Sequence, residues 1–428
     1  MTKIDKSKIK SKRKKIKYID LCSGIGGFRI ALNNISDSNV VFECVLSADI
    51  KKDAIDTYNL NFNENNKITD IYTLKNEEIK PFDLLCAGFP CQPFSSAGQK
   101  KGFKDERGGM IFKIIDICKY HKPKNIILEN VYNLMTLKNG EYIKRIKELF
   151  EGIGYIVNYG KLNSRDFGCP QSRERVYIVC SLKKEINFAN INTKPKVILK
   201  NIVEHSVKKT DIKTSFSEKL LQIHKERPIY GCKIGDKRGG EKNIHSWDIG
   251  YNGVISKKES ELMKKIMLER RKKHWAKKKK IVWMDGMPLA YAEIKTFCDD
   301  NNLLDMLDNL VSKKYLRLEK PKDLINGKRV YKEDSVAGYN ICKGKLSFPI
   351  SKILDPNDVA PTLTATDSNR LAVIINDEII RRLTPNELKK ICGFPNTFVI
   401  PEHVNYYNLF GNMATPPVIE AILNLMFN

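Results

Sequence analysis

The chain has no run of 18 or more apolar residues, which leaves no candidate for a membrane-spanning helix. Its basic N-terminus, MTKIDKSKIKSKRKKIK, has no apolar segment behind the charges, so it does not read as a secretory signal. No two of the 11 cysteines form a CxxC pair, and the total is odd. A disulfide framework and a zinc site are both disfavoured, and a reducing cytoplasm with no bound metal is the expected setting. Acidic residues are scarce as well: 50 Asp and Glu face 75 Lys and Arg, for a net charge of +25. The excess is concentrated in two places. Residues 1–17 carry nine Lys and Arg against one Asp, and residues 256–280 carry twelve against three Glu. Such a surface suits a polyanion, most economically nucleic acid, although a lysine-rich composition also serves solubility. Residues 1–17 are expected to form a disordered arm making non-specific phosphate contacts.

What is present is regular. Between residues 18 and 185, short apolar runs alternate with longer amphipathic stretches: KYIDLC, VFECVLSAD, FDLLCAG and NIILENV read as strands. FRIALNNI, KKDAIDTYNLNF, GMIFKIIDICKYH and GEYIKRIKELFEGIG read as the helices between them, with strands GYIVNYGKLN and RVYIVCSL to follow. This alternation predicts a doubly wound, mostly parallel α/β sheet, in which ligands sit beyond the carboxyl ends of the strands. The pattern breaks after about residue 185. The next stretch is lysine-rich, with a basic helix over 256–280, two helices in PLAYAEIKTFC and NLLDMLDNLVSKKYL, and a hairpin around Asn326-Gly327. Helix, helix, hairpin over about 285–340 is a winged-helix-like order that suits DNA contact, and equally an ordinary helical support. The α/β pattern resumes with RRLTPNELKKICGFP, where Thr384 is the N-cap, Pro385 the first helical residue and Gly393 the stop, and closes on the helix TPPVIEAILNLMF. Two lobes with a cleft between them are expected.

DLCSGIGGF places Gly24, Gly26 and Gly27 between a strand and a helix, where the backbone approaches a ligand closely and the helix N-terminus favours an anion. The spacing is not that of the dinucleotide fingerprint, and such a turn also serves tight packing. Asp49 ends the next strand, where an acid binds a ribose diol, and Asp70 in TDIYTL can accept from an adenine amino group. A nucleoside-bearing cofactor fits these residues. Cys86 lies inside a strand and reads as a small buried hydrophobe, whereas Cys91, in GFPCQPFSSAG, stands on a loop at the ligand-bearing edge. Glu129 and Asn130 end a neighbouring strand, and Gln171, Arg173 and Arg175 begin another. A thiol becomes a nucleophile only as the thiolate, beside a base or positive charge, so this is a reactive constellation or a set of ion pairs.

The ordered set DLCSGIGGFRIAL, GFPCQPFSSAGQKKGF, ENV, QSRERVYIV, RRLTPNELKKICGFP and FGNMATPPV resembles the DNA (cytosine-5)-methyltransferases of the bacterial restriction–modification type. The resemblance covers about half of the chain. It implies a Rossmann-like methyltransferase lobe over 18–185, a smaller inserted target-recognition domain over 186–365, and a return to the catalytic lobe over 366–428. It implies transfer of a methyl group from S-adenosylmethionine, with S-adenosylhomocysteine as product, to C5 of a flipped cytosine through a covalent adduct of Cys91 at C6. Glu129 would then hold the N3/N4 edge of the base and Arg175 its O2 side, supported by Arg173. Gly24, Gly26, Gly27, Asp49, Asp70, Ile71, Gly88, Asn412 and Ala414 would line the cofactor pocket. Two residues there depart from the family: Cys22 stands where many members place a phenylalanine, and Ile50 where an aromatic often stacks. Double-stranded DNA would be met by Gln92, Ser95, Gln99 and Lys100 in the loop after Cys91, and by Arg238, Arg270, Arg271, Lys272 and Lys273 in the recognition domain. His245, Trp247 and Trp275 read either as contact residues or as core aromatics, the tryptophans rather as core. The expected protein is a cytoplasmic, DNA-associated monomer that protects DNA from a cognate restriction endonuclease acting separately. A tRNA cytosine-5 methyltransferase and a non-catalytic DNA-binding regulator on the same fold are the alternatives. The long basic insert speaks against the first, and the intact Cys91, Glu129 and Arg175 against the second.

Overall fold

The computed structural model describes residues 14–36, 40–90, 109–206, 211–212, 214–237, 239–342 and 348–427. The chain divides into two compact units: residues up to 204 with Pro356–Ser368 and Thr384–Asn428, and residues His205–Asp355 with Asn369–Leu383.

The first unit begins with the strand β1 (Lys14–Leu21), so residues 14–17, expected in the arm, are already paired with a neighbouring strand. The elements α1 (Gly27–Ile35), β2 (Val40–Ala48), α2 (Lys52–Phe62), β3 (Leu84–Gly88) and α3 (Met110–His121) follow. After them come β4 (Asn125–Val131), α4 (Asn133–Thr136), α5 (Glu141–Glu151), β5 (Ile156–Asn163) and β6 (Glu174–Ser181). The six strands lie in the order β2-β1-β3-β4-β6-β5. β2, β1, β3 and β4 pair in parallel, β6 pairs antiparallel with β4 and β5 antiparallel with β6, so β6 alone runs against the other five. Period-two alternation decides the layers. Ile19 and Leu21 of β1 belong to the core shared with α3 and α5, while Ile16 and Tyr18 point into the core shared with α1. Both faces are covered, so the central strands read as nearly continuous apolar runs.

The second unit opens with α6 (Ser215–Glu226), whose N-cap Thr214 accepts from Ser217 N–H. Two short strands, β7 (Lys233–Ile234) and β8 (Asn243–Ile244), precede α7 (Lys257–Glu269) and α8 (Lys273–Lys279). The continuous basic helix expected over 256–280 is therefore two helices. The Arg270 carbonyl accepts from Met287 N–H, and Lys272 is extended, which ends the first helix. Next come α9 (Tyr291–Lys295), α10 (Leu303–Ser312), β9 (Leu316–Glu319), β10 (Lys322–Ile325), β11 (Lys328–Tyr331) and β12 (Gly338–Ile341). Strands β10 and β11 form the hairpin expected at Asn326-Gly327, and both turn residues have positive φ, as a two-residue turn of this kind requires. On α10, Leu303, Met306, Leu307 and Leu310 face the core, leaving Asp305 and Asp308 exposed. The unit ends with β13 (Lys352–Ile353), β14 (Leu371–Ile375) and β15 (Ile379–Arg382), which join β7 and β8 in the order β15-β14-β13-β7-β8. It has two apolar cores, one around this sheet and α6, the other around α7, α10, Trp247, Trp275 and Leu316. Trp247, Trp275 and His245 are all buried, which places them in the interior.

The expected boundaries shift accordingly. Residues 186–204 belong to the first unit, where Ile186 joins the core against Tyr177 and Val179. Residues 369–383 belong to the second, because β14 and β15 complete its sheet. The first unit then resumes with α11 (Pro385–Cys392), α12 (Tyr406–Gly411) and α13 (Pro416–Phe427). Thr384 accepts from Glu387 N–H while the Glu387 carboxylate accepts from Thr384 N–H, a reciprocal cap for α11. Helix α13 packs on α1 through Val418, Ile419, Ile422 and Leu423.

One buried group in β1 lacks a partner. Both carboxylate oxygens of Asp20 are out of contact with water and with any hydrogen-bond donor among the described residues. Burial raises its pKa to about 8, with Arg29 working in the opposite direction and Asp49 adding to the rise. The folded chain thus binds a proton that the unfolded chain, with an ordinary carboxyl value near 3.9, releases. Stability contributed by this group is complete below about pH 4 and is lost as the pH rises towards about 8. Asp20→Asn is expected to gain stability over the wild type progressively across that window, read as urea midpoints at pH 5 and pH 8. Equal differences at the two pH values would show that Asp20 is not held neutral.

Candidate active site

The carboxyl ends of β1, β2 and β3 meet at the Gly-rich turn. Cys22, Gly24 and Gly26 all have positive φ, and Gly26 caps α1. Asp49 ties this turn to the end of β2: its Oδ2 accepts from Gly24 N–H at 2.9 Å, and its Oδ1 accepts from Lys51 N–H at 2.9 Å. A Cβ added at Gly24 would meet nothing within 4 Å, so the turn borders open space. At Gly27 a Cβ would run into the Ala414 carbonyl, which explains why the chain can close its C-terminal return over the start of α1. Asp70 stands in the connection between α2 and β3, where it caps a short 3-10 turn and accepts from Tyr72 N–H at 3.0 Å. Ile71 is buried and Ile50 is 62% exposed. Asn412 caps α12 and donates through Nδ2 to Asn408 O and Oδ1, both at 3.1 Å. The half-buried Cys22 lies with Sγ 3.1 Å from Met110 Sδ, and burial, with Asp49, Asp20 and Asp70 nearby, pushes its thiol up to about 12. It stays protonated at neutral pH and is no nucleophile. Cys86, Cys118, Cys180 and Cys392 are buried, and burial holds each of them above the ordinary thiol range.

Cys91, Gln92, Ser95, Gln99, Lys100 and Arg238 lie outside the described residues. The chain leading to Cys91 is described as far as Pro90, and Asn130 holds it: Asn130 Nδ2 donates to Phe89 O at 2.9 Å from a fully buried position. The pairing of β3 with β4 sets Gly88 opposite Glu129. In the same way β4 and β6 set Val131 opposite Arg175. Arg175 Nε comes within 2.9 Å of Glu129 Oε1, an ion pair between two side chains that are nearly shielded from solvent. The geometry is not that of a hydrogen bond, which leaves Glu129 Oε1 without a donor among the described residues. A buried carboxylate with accepting capacity to spare, beside a guanidinium, suits a flat ligand bearing both N–H and C=O groups. The role of Asn130 was not legible in the sequence, because nothing in ENV says which backbone oxygen its amide will find.

Arg173 does something else. Its Nη1 donates to Leu363 O at 3.1 Å and Gly411 O at 3.3 Å, and its Nη2 to Met413 O at 2.7 Å. Burial pulls its pKa down to about 10, with Arg175 adding to the fall and Glu129 opposing it. The group is charged at neutral pH and both of its Nη atoms are engaged with backbone carbonyls, an arrangement that suits a positioning residue. Gln171 joins the same seam, accepting from Leu363 N–H at 3.2 Å, while Ser172 N–H donates to Ala360 O at 2.8 Å.

In the second unit the expected contact residues separate. Arg270 is only 2% exposed and donates to Asn340 Oδ1 at 2.6 Å. It is a core residue unavailable to DNA, because the turn at Gly286 packs directly on its guanidinium. Arg271 is ion-paired with Asp285 at 2.7 Å. Lys272 is exposed and pairs with Glu269, and Lys273 is exposed with Nζ 5.9 Å from the centre of the Trp283 ring.

The sequence profile of the C-5 cytosine-specific DNA methylases matches residues 16–428. The Type II methyltransferase M.NlaIV of Neisseria lactamica is 42% identical over 417 residues, covering 95% of this chain and 97% of its own. M.BanI of Aneurinibacillus aneurinilyticus, also a Type II methyltransferase, is 34% identical over 436 residues, covering 96% of each chain. Among solved structures, the Dnmt2 methyltransferase of S. pombe superposes with a TM-score of 0.54 at 17% identity, covering 96% of this chain and 98% of its own. That likeness bears on the fold.

If Arg173 is a clamp, its loss is a stability effect. Arg173→Met strands three buried carbonyls and is expected to cost about 3 kcal/mol or more, seen as a lower urea midpoint of the cofactor-free protein. An unchanged midpoint would return Arg173 to the list of reacting groups.

Proposed function

This chain belongs to the C-5 cytosine-specific DNA methylase family, and from that premise we propose that it methylates C5 of one cytosine in a short, specific duplex sequence, as the methyltransferase of a restriction–modification system. The observation that carries the reading is the shielded Glu129–Arg175 pair at the strand ends, next to the Asn130-held approach to Cys91. A cytosine ring offers an amino group and N3 on one edge and O2 beside them. Glu129 accepts from the amino group and supports charge at N3, and Arg175 donates to O2. With the ring so held, the Cys91 thiolate adds to C6, and the ring's electrons move to C5, which becomes nucleophilic. After C5 has been alkylated its proton is lost, Cys91 leaves from C6, and aromaticity returns. None of these groups reaches a base inside a duplex, so the cytosine is flipped out.

The cofactor of this reading is S-adenosylmethionine, which supplies the methyl group when bound. The residues present fit it: the turn borders open space at Gly24, Asp49 stands beside that turn, and Asp70 caps a short 3-10 turn in the connection to β3. Asp49 would hold the ribose diol and Asp70 the adenine amino group. Phosphate contacts fall to exposed lysines of α7, of α8 and of the link between them, namely Lys264, Lys265, Lys272, Lys273, Lys277 and Lys278. They do not fall to α10, whose exposed face carries Asp305 and Asp308. Relatives of 42% and 34% identity that are Type II methyltransferases support a protective role against a separate endonuclease.

The test is base-resolution mapping of 5-methylcytosine in methylation-free DNA incubated with the purified protein and S-adenosylmethionine. Methylation at one short motif, absent with Cys91→Ala, is expected. Methylation that persists in Cys91→Ala would remove Cys91 from the chemistry, and unmodified DNA with wild-type protein would refute a DNA substrate.

A further inference from the structure

Strands β10 and β11 form a two-stranded sheet of their own, and every residue from Leu324 to Tyr331 is exposed. A bare hairpin is marginal in water. This one also turns apolar side chains outward on both faces. The register sets Lys322 beside Tyr331 and Leu324 beside Arg329 on one face, and Asp323 beside Val330 and Ile325 beside Lys328 on the other. What holds it is the chain that leaves α8. Arg329 Nη1 and Nη2 donate to Val282 O and Trp283 O, each at 3.0 Å, and Asp323 Oδ1 accepts from Val282 N–H at 2.8 Å. Lys332 Nζ donates to Lys279 O at 3.2 Å, at the C-terminal end of α8. The hairpin is thus fixed to the end of a helix whose Lys277 and Lys278 are exposed.

We propose that this hairpin is a wing that grips duplex DNA beside α8 without reading its sequence. Lys322 and Lys328 meet phosphates, and Ile325, 55% exposed next to the turn, packs against the wall of a groove. The proposal rests on the DNA reading above. Charge names the partner: residues 322–332 hold four cations against one acid. Arg329 and Lys332 spend hydrogen bonds on neutral carbonyls, which leave their charge in place. Nearby, Arg317 pairs with Glu319 and Lys320 with Glu333, whereas Lys322 and Lys328 join no ion pair among the described residues. Such a strip attracts a polyanion. The apolar tip sets a second requirement, a partner whose surface takes an alkyl side chain, as a DNA groove does. The turn keeps that tip narrow, with φ of 50° at Asn326 and 76° at Gly327. Lysine on phosphate positions a duplex but tells no base from another, and an alkyl group offers no hydrogen bond to a base edge. The wing therefore grips and does not read.

Affinity of the full chain for a fluorescent duplex of mixed sequence, measured across a salt series, tests the wing. The double variant Lys322→Ala/Lys328→Ala is expected to flatten the slope of log affinity against log salt by about 2, since each phosphate contact contributes about 0.9. Ile325→Ser is expected to bind about fivefold more weakly with the wild-type slope, because it removes a contact and no charge. Neither change should alter the sequence in which 5-methylcytosine is mapped. Unfolding midpoints matched to the wild type check that the fold is intact. A double variant with the wild-type slope overturns the wing and leaves its apolar residues to a protein partner. A changed methylated motif overturns it too, because the hairpin would then read bases. Ile325→Ser at wild-type affinity overturns the seating of the tip. Wild-type protein that binds no duplex overturns the DNA reading itself. Binding with the expected slopes but without methylation upholds the wing and removes only the proposed reaction.

Discussion

A guanidinium stripped of water must find oxygens to replace it, or the fold loses several kcal/mol. Arg173 finds them only in the last part of the chain, at Leu363, Gly411 and Met413. The start of β6 is therefore complete only after some 190 intervening residues have been made and the chain has come back. Gln171 and Ser172 extend the seam to Leu363 and Ala360, and the missing side chain at Gly27 leaves room for the Ala414 carbonyl at the other end of the return. With both ends fixed, Arg175 two residues further on is held against Glu129 by strand register alone. The ion pair at the candidate site thus lies two residues from a guanidinium whose Nη atoms are turned to the protein's own backbone.

The strands and helices of the first unit could be read from the sequence because their signals are local. The continuous apolar run of KYIDL and the reciprocal cap of Thr384 and Glu387, like the turn at Asn326-Gly327 in the second unit, are each decided within a few residues. The division into units could not be read so easily. Residues 369–383 look like part of the returning lobe, yet β14 and β15 complete the sheet of the second unit. That choice depends on pairing with β13, β7 and β8 over more than a hundred residues, which no local pattern encodes. Arg270 was misleading for the same reason. Within ERRKKHW it looks like one more surface cation, and only the packing of Gly286 and Asn340 shows that it is interior.

Net charge also says less than its placement. The basic excess of 256–280 remains on the exposed faces of α7 and α8, whereas the neighbouring α10 turns Asp305 and Asp308 outward. Phosphates are attracted by the first and repelled by the second. A helix–helix–hairpin order alone would have nominated α10 as the helix that enters a groove, and its exposed charges argue against that. The proposed phosphate surface therefore lies with the lysines at α7 and α8, since each phosphate carries a negative charge.

The two halves of the candidate site are joined at a single residue. A side chain built on Gly88 would sit 3.7 Å from Glu129 Oε2 and 3.9 Å from Cys22 O. Those are ordinary contact distances, so a larger residue would fit without strain and would fill the gap. What a side chain there would fill is space between the Cys22 carbonyl of the Gly-rich turn and the Glu129 carboxylate. Group transfer needs donor and acceptor within about 3–3.5 Å of each other. On the proposed reading, glycine at this strand end keeps open the short path along which cofactor and base would meet, and Cys91 follows three residues later in the sequence.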